Sequence, residues 1–297
     1  MTSTPELIDP TTRYPQPEFD QEAQPGAGQA WGMDPTPDHG EESYRGSGKL
    51  TGRRALVTGG DSGIGRAAAI AFAREGADVA ISYLPEEQQD ADSVIAIIQK
   101  EGVRALALPG DITDEAFATS LVTKTVEAFG GIDVLVNNAG KQQARESILD
   151  ISSEQFDETF KTNVYAMFWI TKEAVKHLPA GSSIINTTSV QAYQPSPTLV
   201  DYASTKATIN AFTKALAAQL AEKGIRVNAV APGPVWTPLQ PAGGQPESAL
   251  PEFGAQTPLG RPGQPAEYGA AYVHLASNDS SYTTGSTLSI TGGMPTP

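Results

Sequence analysis

The sequence contains no cysteine among its 297 residues. Disulfide bridges, thiolate nucleophiles and cysteine-ligated zinc sites are therefore excluded. Basic residues are also scarce, because 20 Lys and Arg stand against 34 Asp and Glu and give a formal net charge of −14. Nucleic acids and anionic membranes are bound through clustered Lys and Arg. Since the chain has no basic run, its composition argues against both as partners.

Long apolar stretches are missing as well. No stretch approaches the ~20 apolar residues of a membrane span. The first residues, MTSTPELIDPTTRYPQ, have neither the basic nor the apolar region of a signal peptide, so we expect a cytoplasmic protein. The three histidines, His39, His177 and His274, are scattered, and no metal site is expected.

The composition divides the chain into two parts. Residues 1–50 are rich in Pro, Gly and acidic residues without a helical or strand period, which predicts an extended arm. Four apolar residues of this arm are candidate anchors: Tyr14, Phe19, Trp31 and Met33. Because a free tail has no need of them, we expect the arm to lie along the body or on a neighbouring subunit. Residues 51–297 are predicted to form one domain.

Short β-type runs alternate with helical stretches from Arg53 onward. RALVTG, DVAISY, RALALPGD, DVLVNNAG, SSIINTTS, IRVNAVAPG and STLSITGG are the predicted strands, and most are followed by a helical stretch. Repeated βα units form parallel sheets that are covered on both faces. The sequence therefore predicts a Rossmann-type, doubly wound α/β fold with seven parallel strands in the order 3-2-1-4-5-6-7.

A glycine-rich turn, TGGDSGIGR, joins the first predicted strand to the first helix. Gly59, Gly63 and Gly65 stand where the chain must turn, admit a phosphate and enter the helix. The spacing is TGxxxGxG rather than the general GxGxxG, and tight packing alone is an alternative explanation. Asp111 after the third strand, and Asn138, Ala139 and Gly140 after the fourth, would meet this turn at the carboxyl edge of the sheet. Dinucleotides bind at that edge.

Tyr202 and Lys206 are four residues apart in a predicted helix and therefore lie on one face. A core-edge aromatic beside a solvated lysine is the alternative for such a pair alone. Taken together, TGxxxGxG, NNAG, a serine before YxxxK and a PG after strand six resemble the short-chain dehydrogenase/reductase superfamily over residues 50–297. TGGDSGIGRAAA and YLPEE further resemble an amino-terminally extended bacterial subgroup, the general-stress-type oxidoreductases.

The resemblance implies that Ser189, Tyr202, Lys206 and Asn163 are catalytic. Tyr202 would exchange a proton with the substrate oxygen, and Ser189 would steady that oxygen. A phenol has a pKa of about 10, and a neighbouring cation favours the phenolate, so we expect Lys206 to lower the pKa of Tyr202. Asn163 would help to order a proton-relaying water. A strand-end cap at Ser189 and a structural amide at Asn163 are the alternatives.

The resemblance also implies the cofactor-binding residues, which are Gly59, Asp61, Ser62, Gly63, Ile64, Gly65, Tyr83, Leu84, Asp111, Ile112, Asn138, Ala139, Gly140, Tyr202, Lys206, Pro232, Gly233, Val235 and Thr237. Residues 240–264 are expected to form a substrate lid. The cofactor would be NAD or NADP. Tyr83 stands where NAD enzymes often carry Asp, and no basic residue marks NADP. Because Glu86 and Glu87 would repel a second phosphate, we expect NAD.

The predicted function is an alcohol or carbonyl oxidoreductase that transfers a hydride. A catalytically silent nucleotide-binding regulator is the rival from another class, although the complete Ser189, Tyr202 and Lys206 set argues against it. An epimerase or dehydratase is a third possibility, but the chain has too few residues for the larger carboxyl-terminal domain of such proteins. Substrate specificity is expected to depend on Gln142, Gln191 and Tyr193. The resemblance implies a homotetramer.

Overall fold

The protein was examined as a computed structural model, which describes residues 7–296. The first six residues of the predicted arm and the last residue of the predicted domain lie outside that part. Seven parallel strands form one sheet in the order β3-β2-β1-β4-β5-β6-β7, which confirms the predicted fold class. The strands are β1 (Arg54–Thr58), β2 (Asp78–Tyr83), β3 (Ala105–Pro109), β4 (Val134–Asn137), β5 (Ser183–Thr187), β6 (Arg226–Pro232) and β7 (Thr287–Ile290).

Seven α-helices cover the two faces of the sheet. They are α1 (Gly63–Arg74), α2 (Gln88–Lys100), α3 (Glu115–Phe129), α4 (Ser153–Phe160), α5 (Ala166–Ala174), α6 (Val200–Leu220) and α7 (Gly269–Ala276). Strand side chains alternate between two cores, as a pleated strand requires. In β1, Val57 packs in the core that includes residues of α1, α2 and α7, whereas Leu56 packs in the core that includes residues of α3, α5 and α6. None of the helices within residues 7–296 has the length and apolarity to cross a bilayer.

The long helix predicted around residues 153–178 is not uniform. A π-helical turn, Lys161–Tyr165, separates α4 from α5, and α5 ends at Ala174. A π-helical turn widens the helix by one residue and is often found at functional sites. Asn163 lies in this turn, so the interruption occurs at a predicted site residue.

The amino-terminal arm lies against the body of the protein. Phe19 and Met33 are buried in a small core with Trp236 and Phe253, and the Arg261 guanidinium lies 5.2 Å from the centre of the Tyr14 ring. These three anchors were predicted. Trp31 was predicted with them, but its side chain is 57% exposed. Composition identifies apolar residues, but not which of them meet a partner surface.

Candidate active site

A cavity of about 800 Å³ opens at the carboxyl edge of the sheet, next to the ends of β1 and β4, where the strand order reverses. It is lined by every residue predicted to bind the cofactor except Gly65. Of the four predicted catalytic residues, Ser189, Tyr202 and Lys206 line the cavity and Asn163 lies behind its wall. The topology therefore brings together motifs that are far apart in the sequence.

The glycine-rich turn presents the amino terminus of α1 to this cavity. Gly63 has a left-handed φ of +52°, and the Ser62 side chain does not cap the helix. No acidic residue stands in the first turn, so its amide groups and the positive end of the helix dipole are available to an anion. Gly65 does not line the cavity. It packs against the preceding turn so closely that a Cβ at this position would stand 1.9 Å from the Gly59 oxygen. This cradle fits a pyrophosphate.

The end of β2 and the glycine-rich turn form an acidic end of the cavity, lined by Asp61, Ser82, Tyr83, Leu84, Glu86 and Glu87. The Asp61 side chain is 2% exposed, and within residues 7–296 its Oδ2 atom has no hydrogen-bond partner. The Tyr83 hydroxyl donates to Gln88 over 3.0 Å, and Glu87 accepts from the Leu84 amide over 2.9 Å. Asp61 is thus the carboxylate with an acceptor atom to spare for a bound group such as a ribose hydroxyl.

Burial raises the pKa of Asp61 to about 7 and that of Glu87 to about 8; the nearby Asp90 raises both further, and Asp61 also raises the pKa of Glu87. Arg66 opposes this effect at Asp61. The Arg66 guanidinium is shared, because it also donates to Glu41 over 3.0 Å and to the Ser93 hydroxyl over 2.6 Å. This end of the cavity therefore carries an excess of acidic groups.

Asn138 ties three strand ends together below the cavity. Its side-chain amide donates to the Gly59 oxygen over 3.1 Å, and its backbone amide donates to the Thr58 hydroxyl over 2.9 Å. Its Oδ1 atom accepts from the Thr187 hydroxyl over 3.3 Å. The sequence interpretation included Asn138 but not Thr58, the threonine of TGxxxGxG, or Thr187 near the end of SSIINTTS, because a sequence pattern does not show which groups a threonine hydroxyl bonds to.

The second half of the site lies on α6 and at the end of β5. Tyr202 and Lys206 are 7% and 3% exposed, and the Lys206 Nζ atom lies 5.3 Å from the centre of the Tyr202 ring. Nζ donates to the Thr187 oxygen over 2.9 Å. The Ser189 hydroxyl accepts from the Gln191 amide over 3.1 Å, and it lies near enough to Tyr202 to affect the pKa of the phenol. A phenol, a hydroxyl and an amine thus face one point of the cavity.

Burial raises the pKa of Tyr202 to about 12, and the nearby Ser189 hydroxyl opposes part of that rise. Burial also lowers the pKa of Lys206 to about 8, since no carboxylate compensates the amine. The expectation that Lys206 leaves Tyr202 more acidic than a free phenol is therefore wrong for this structure. Desolvation outweighs the neighbouring cation, and it depends on burial that a local motif does not show.

Asn163 is held from both sides inside the π-helical turn. Its Oδ1 atom accepts from the Lys141 amide over 2.7 Å, and its Nδ2 atom donates to the Lys141 oxygen over 2.9 Å and to the Thr205 hydroxyl over 3.0 Å. Its side chain therefore links the loop after β4 to α6. These contacts are the structural role that was the alternative, and the predicted water-ordering role stays a prediction.

Asp201, beside the tyrosine, positions the start of α6. It is fully buried and accepts hydrogen bonds from the Thr159 hydroxyl over 2.9 Å and from the Gln155 amide over 3.1 Å, both on α4. It also accepts from the Tyr202 backbone amide over 2.8 Å. The sequence interpretation missed Asp201, although an acidic residue in the first turn of a helix is a recognisable signal.

Side-chain amides surround the mouth of the cavity near Tyr202. They belong to Gln142, Gln143, Gln191, Gln194, Gln240, Gln245 and Gln256. Several come from the predicted lid, whose residues 240, 242, 245, 253 and 256 line the cavity. Tyr193, expected to contribute to specificity with Gln142 and Gln191, is not among the lining residues. Amide groups offer both donors and acceptors, which suits a hydroxylated ligand.

Comparison with known proteins agrees with this geometry. A family model described as enoyl-(acyl carrier protein) reductase, of the short-chain alcohol dehydrogenase type, matches residues 59–295. The uncharacterized oxidoreductase YghA of Escherichia coli is 58% identical over 97% of this chain and 98% of its own length. The chain belongs to the short-chain dehydrogenase/reductase family. The resemblance predicted from the motifs is confirmed.

Other members of the family lie close to this short-chain dehydrogenase/reductase. General stress protein 39 of Bacillus subtilis is 52% identical over 94% of this chain and 97% of its own. The glucose and ribitol dehydrogenase of Daucus carota is 45% identical over 93% and 96%. A short-chain dehydrogenase from Burkholderia cenocepacia, solved in complex with NADP, has a TM-score of 0.76 at 35% identity and covers 82% of this chain and 98% of that one.

Proposed function

We propose that this short-chain dehydrogenase/reductase interconverts an alcohol and a carbonyl with NAD or NADP, and that Tyr202 exchanges the proton with the substrate oxygen. The observation that carries the proposal is the buried Tyr202 phenol, which lines one cavity with Ser189 and lies beside the Lys206 amine. When bound, the nicotinamide ring supplies or accepts the hydride. Tyr202 gives or takes the proton, and Ser189 orients the oxygen.

The cofactor is held by this chain's own residues in two parts. The amides of Gly63 and Ile64 at the start of α1 would bind the pyrophosphate, and Asp61 would accept from the adenosine ribose. Lys206 lies beside Tyr202 with Nζ on the Thr187 oxygen, where a charged amine stabilises a developing phenolate. Burial of the pair excludes water, which strengthens that interaction.

Replacement of the phenol by phenylalanine tests the catalytic assignment. In Tyr202→Phe we expect kcat to fall by about 10²–10⁴-fold, because general acid catalysis is lost while cofactor binding is kept. Tyr282→Phe is the matched control, since Tyr282 is fully exposed. Turnover is followed by the absorbance of the reduced nicotinamide. Full activity in Tyr202→Phe would refute the assignment, whereas a wild type that binds cofactor tightly but turns over no substrate would favour the regulator.

We further propose a small polyhydroxylated substrate such as a sugar or polyol. The seven glutamines that line the cavity mouth support this, since a side-chain amide can both donate to and accept from hydroxyl groups. Five of them, Gln142, Gln191, Gln194, Gln240 and Gln245, each use one amide atom in a bond within the protein and keep the other for a ligand. The name of the carrot relative points to the same class. A panel of polyols, sugars and unsubstituted aliphatic alcohols of equal length tests it through kcat/KM. A preference for the aliphatic alcohols would contradict the proposal.

For the cofactor we propose NAD over NADP. The support is the acidic end of the cavity, whose lining residues, Asp61, Ser82, Tyr83, Leu84, Glu86 and Glu87, include no basic side chain to pair with the extra phosphate of NADP. The Burkholderia dehydrogenase was solved in complex with NADP. We therefore base the preference for NAD on the residues of this chain's own cavity. The ratio of kcat/KM for the two cofactors measures it, and a ratio that favours NADP would overturn the choice.

We also propose a cytoplasmic homotetramer in which residues 1–50 extend a single domain over residues 51–297. Apolar side chains at the surface support assembly. Phe156 on α4, Tyr165 in the π-helical turn and Phe168 on α5 are 42–45% exposed, and Leu288 on β7 is 37% exposed. Light scattering after size exclusion measures the mass, and cell fractionation tests the location. A monomeric mass that is unchanged by Phe168→Glu would rule out assembly through α5.

A further inference from the structure

One segment of the arm crosses the mouth of the cofactor cavity. Residues 24–30, here called the strap, run from the lid to the turn after β2. At one end the Gln24 amide donates to the Pro241 oxygen over 2.9 Å. At the other, the Gln29 side chain donates to the Glu86 oxygen over 3.4 Å and the Ala30 amide donates to the buried Asp90 carboxylate over 2.8 Å. Both ends of the strap are thus fixed.

The middle of the strap forms part of the cavity wall. Gly26 and Ala27 line the cavity between Glu86 on one side and Pro238 on the other. Gly28 is buried with a left-handed φ of +78°, and a Cβ there would stand 2.7 Å from the Pro238 oxygen. A Cβ on Gly63, at the start of α1, would stand 3.1 Å from the neighbouring Thr237. The strap therefore lies beside the pyrophosphate cradle.

Apolar contacts on both sides hold the strap in place. The ring of Phe19, before the strap, lies 4.3 Å from that of Trp236, and the Phe19 amide donates to the Pro251 oxygen over 3.0 Å. After the strap, Met33 joins the same apolar cluster, and the Trp236 indole donates to the Pro35 oxygen over 2.7 Å. The lid and the arm thus form one packed unit over the cavity.

We propose that the strap is a wall of the dinucleotide site, which covers the pyrophosphate and must detach before the cofactor leaves. This rests on the proposed function, since it takes the cavity to hold NAD or NADP. Its small residues, Pro25-Gly26-Ala27-Gly28, suit this role because they let the backbone approach a ligand closely. The strap slows release without adding a charge to the site.

The release rate of NADH tests the proposal, with NADPH in its place if that is the form bound. Gly28→Ala forces a Cβ against Pro238 and displaces the strap. Gly102→Ala is the matched control, because Gly102 has a similar φ of +80° and a Cβ there meets nothing within 4 Å. In stopped-flow displacement we expect Gly28→Ala to release NADH about tenfold faster and Gly102→Ala to match wild type. Equal release from Gly28→Ala would overturn the proposal.

A second measurement uses the wild type and does not depend on the folding of a variant. Hydrogen exchange of the strap amides is followed with and without saturating NADH. We expect NADH to slow exchange across residues 24–30, and no change there would overturn the proposal even if Gly28→Ala fails to fold. Wild type that binds no nicotinamide cofactor would refute the proposed function and the strap together. Tight NADH binding with no change in the hydrogen exchange of residues 24–30 would refute only the proposed role of the strap.

Discussion

The two ends of the cavity differ in charge although they belong to one site. At the acidic end, Asp61 and Glu87 are carboxyl groups whose pKa is raised by burial and by neighbouring acidic groups. At the other end, Lys206 is a buried amine without a carboxylate, beside the neutral Tyr202 phenol. A dinucleotide that spans the cavity would place its adenosine ribose at the first end and its reactive ring at the second. The comparison shows that acidic groups line the end where the cofactor ribose would be recognised, whereas an amine lies at the end where the proton would be transferred.

The largest effect should come from the cationic end. In Lys206→Met we expect kcat/KM to fall by about 10³-fold, since the phenolate of Tyr202 loses its only nearby cation. Lys214→Met is the matched control, because Lys214 lies exposed on the same helix. Steady-state rates at saturating cofactor measure the change. A loss confined to KM would assign Lys206 to binding alone and would weaken the contrast between the two ends.

The pH dependence of the reaction sharpens the comparison at the same end. A pKa of about 12 keeps Tyr202 protonated at neutral pH, so it is ready to donate a proton in reduction but not to accept one in oxidation. Oxidation of the alcohol should therefore speed up by about tenfold per pH unit between pH 6 and 7.5 and rise less steeply above pH 8, where Lys206 loses its charge, while reduction stays nearly flat up to pH 7.5. Initial rates in both directions measure this. An oxidation rate that does not change with pH would show that bound cofactor and substrate lower the pKa of Tyr202.

The smallest effect is expected at the acidic end. Asp61→Asn keeps the shape of the side chain and removes a carboxyl group that, with a pKa of about 7, is partly ionised at neutral pH. We expect the NAD over NADP ratio of kcat/KM to drop by about tenfold, or ~1.4 kcal/mol, because the added phosphate is no longer repelled. Glu22→Gln, an exposed acidic residue of the arm, is the control for net charge. An unchanged ratio in Asp61→Asn would move the selectivity to another group.

Much of the fold and the cavity could be predicted from the sequence. The alternation of β and helical runs specified the sheet order, and the motifs follow strands whose carboxyl ends share one edge. That is why Gly63 and Asn138 are predicted to meet, whereas the family resemblance adds Tyr202 to them. Local motifs are enough to predict a site when the fold brings the strand ends that carry them to one edge of the sheet.

What the sequence did not predict depends on burial and on contacts between distant segments. The raised pKa of Tyr202 follows from desolvation, which requires the packed structure. Asp201 acts through hydrogen bonds to α4 and belongs to no motif, whereas Thr58 is the threonine of TGxxxGxG, whose bond to Asn138 the motif does not reveal. The strap reads as a Pro-Gly loop, and only its contacts with Pro241 and Asp90 place it across the cavity.

The chain's three tryptophans stand in different surroundings. Trp236 is fully shielded between the arm and the lid, whereas Trp31 is largely in water and Trp169 lies against the helical core. An indole that moves from an apolar setting into solvent shifts its emission to the red. Dissociation of the arm would expose Trp236 to solvent and shift its fluorescence emission to the red. Tryptophan fluorescence therefore reports whether the arm is docked.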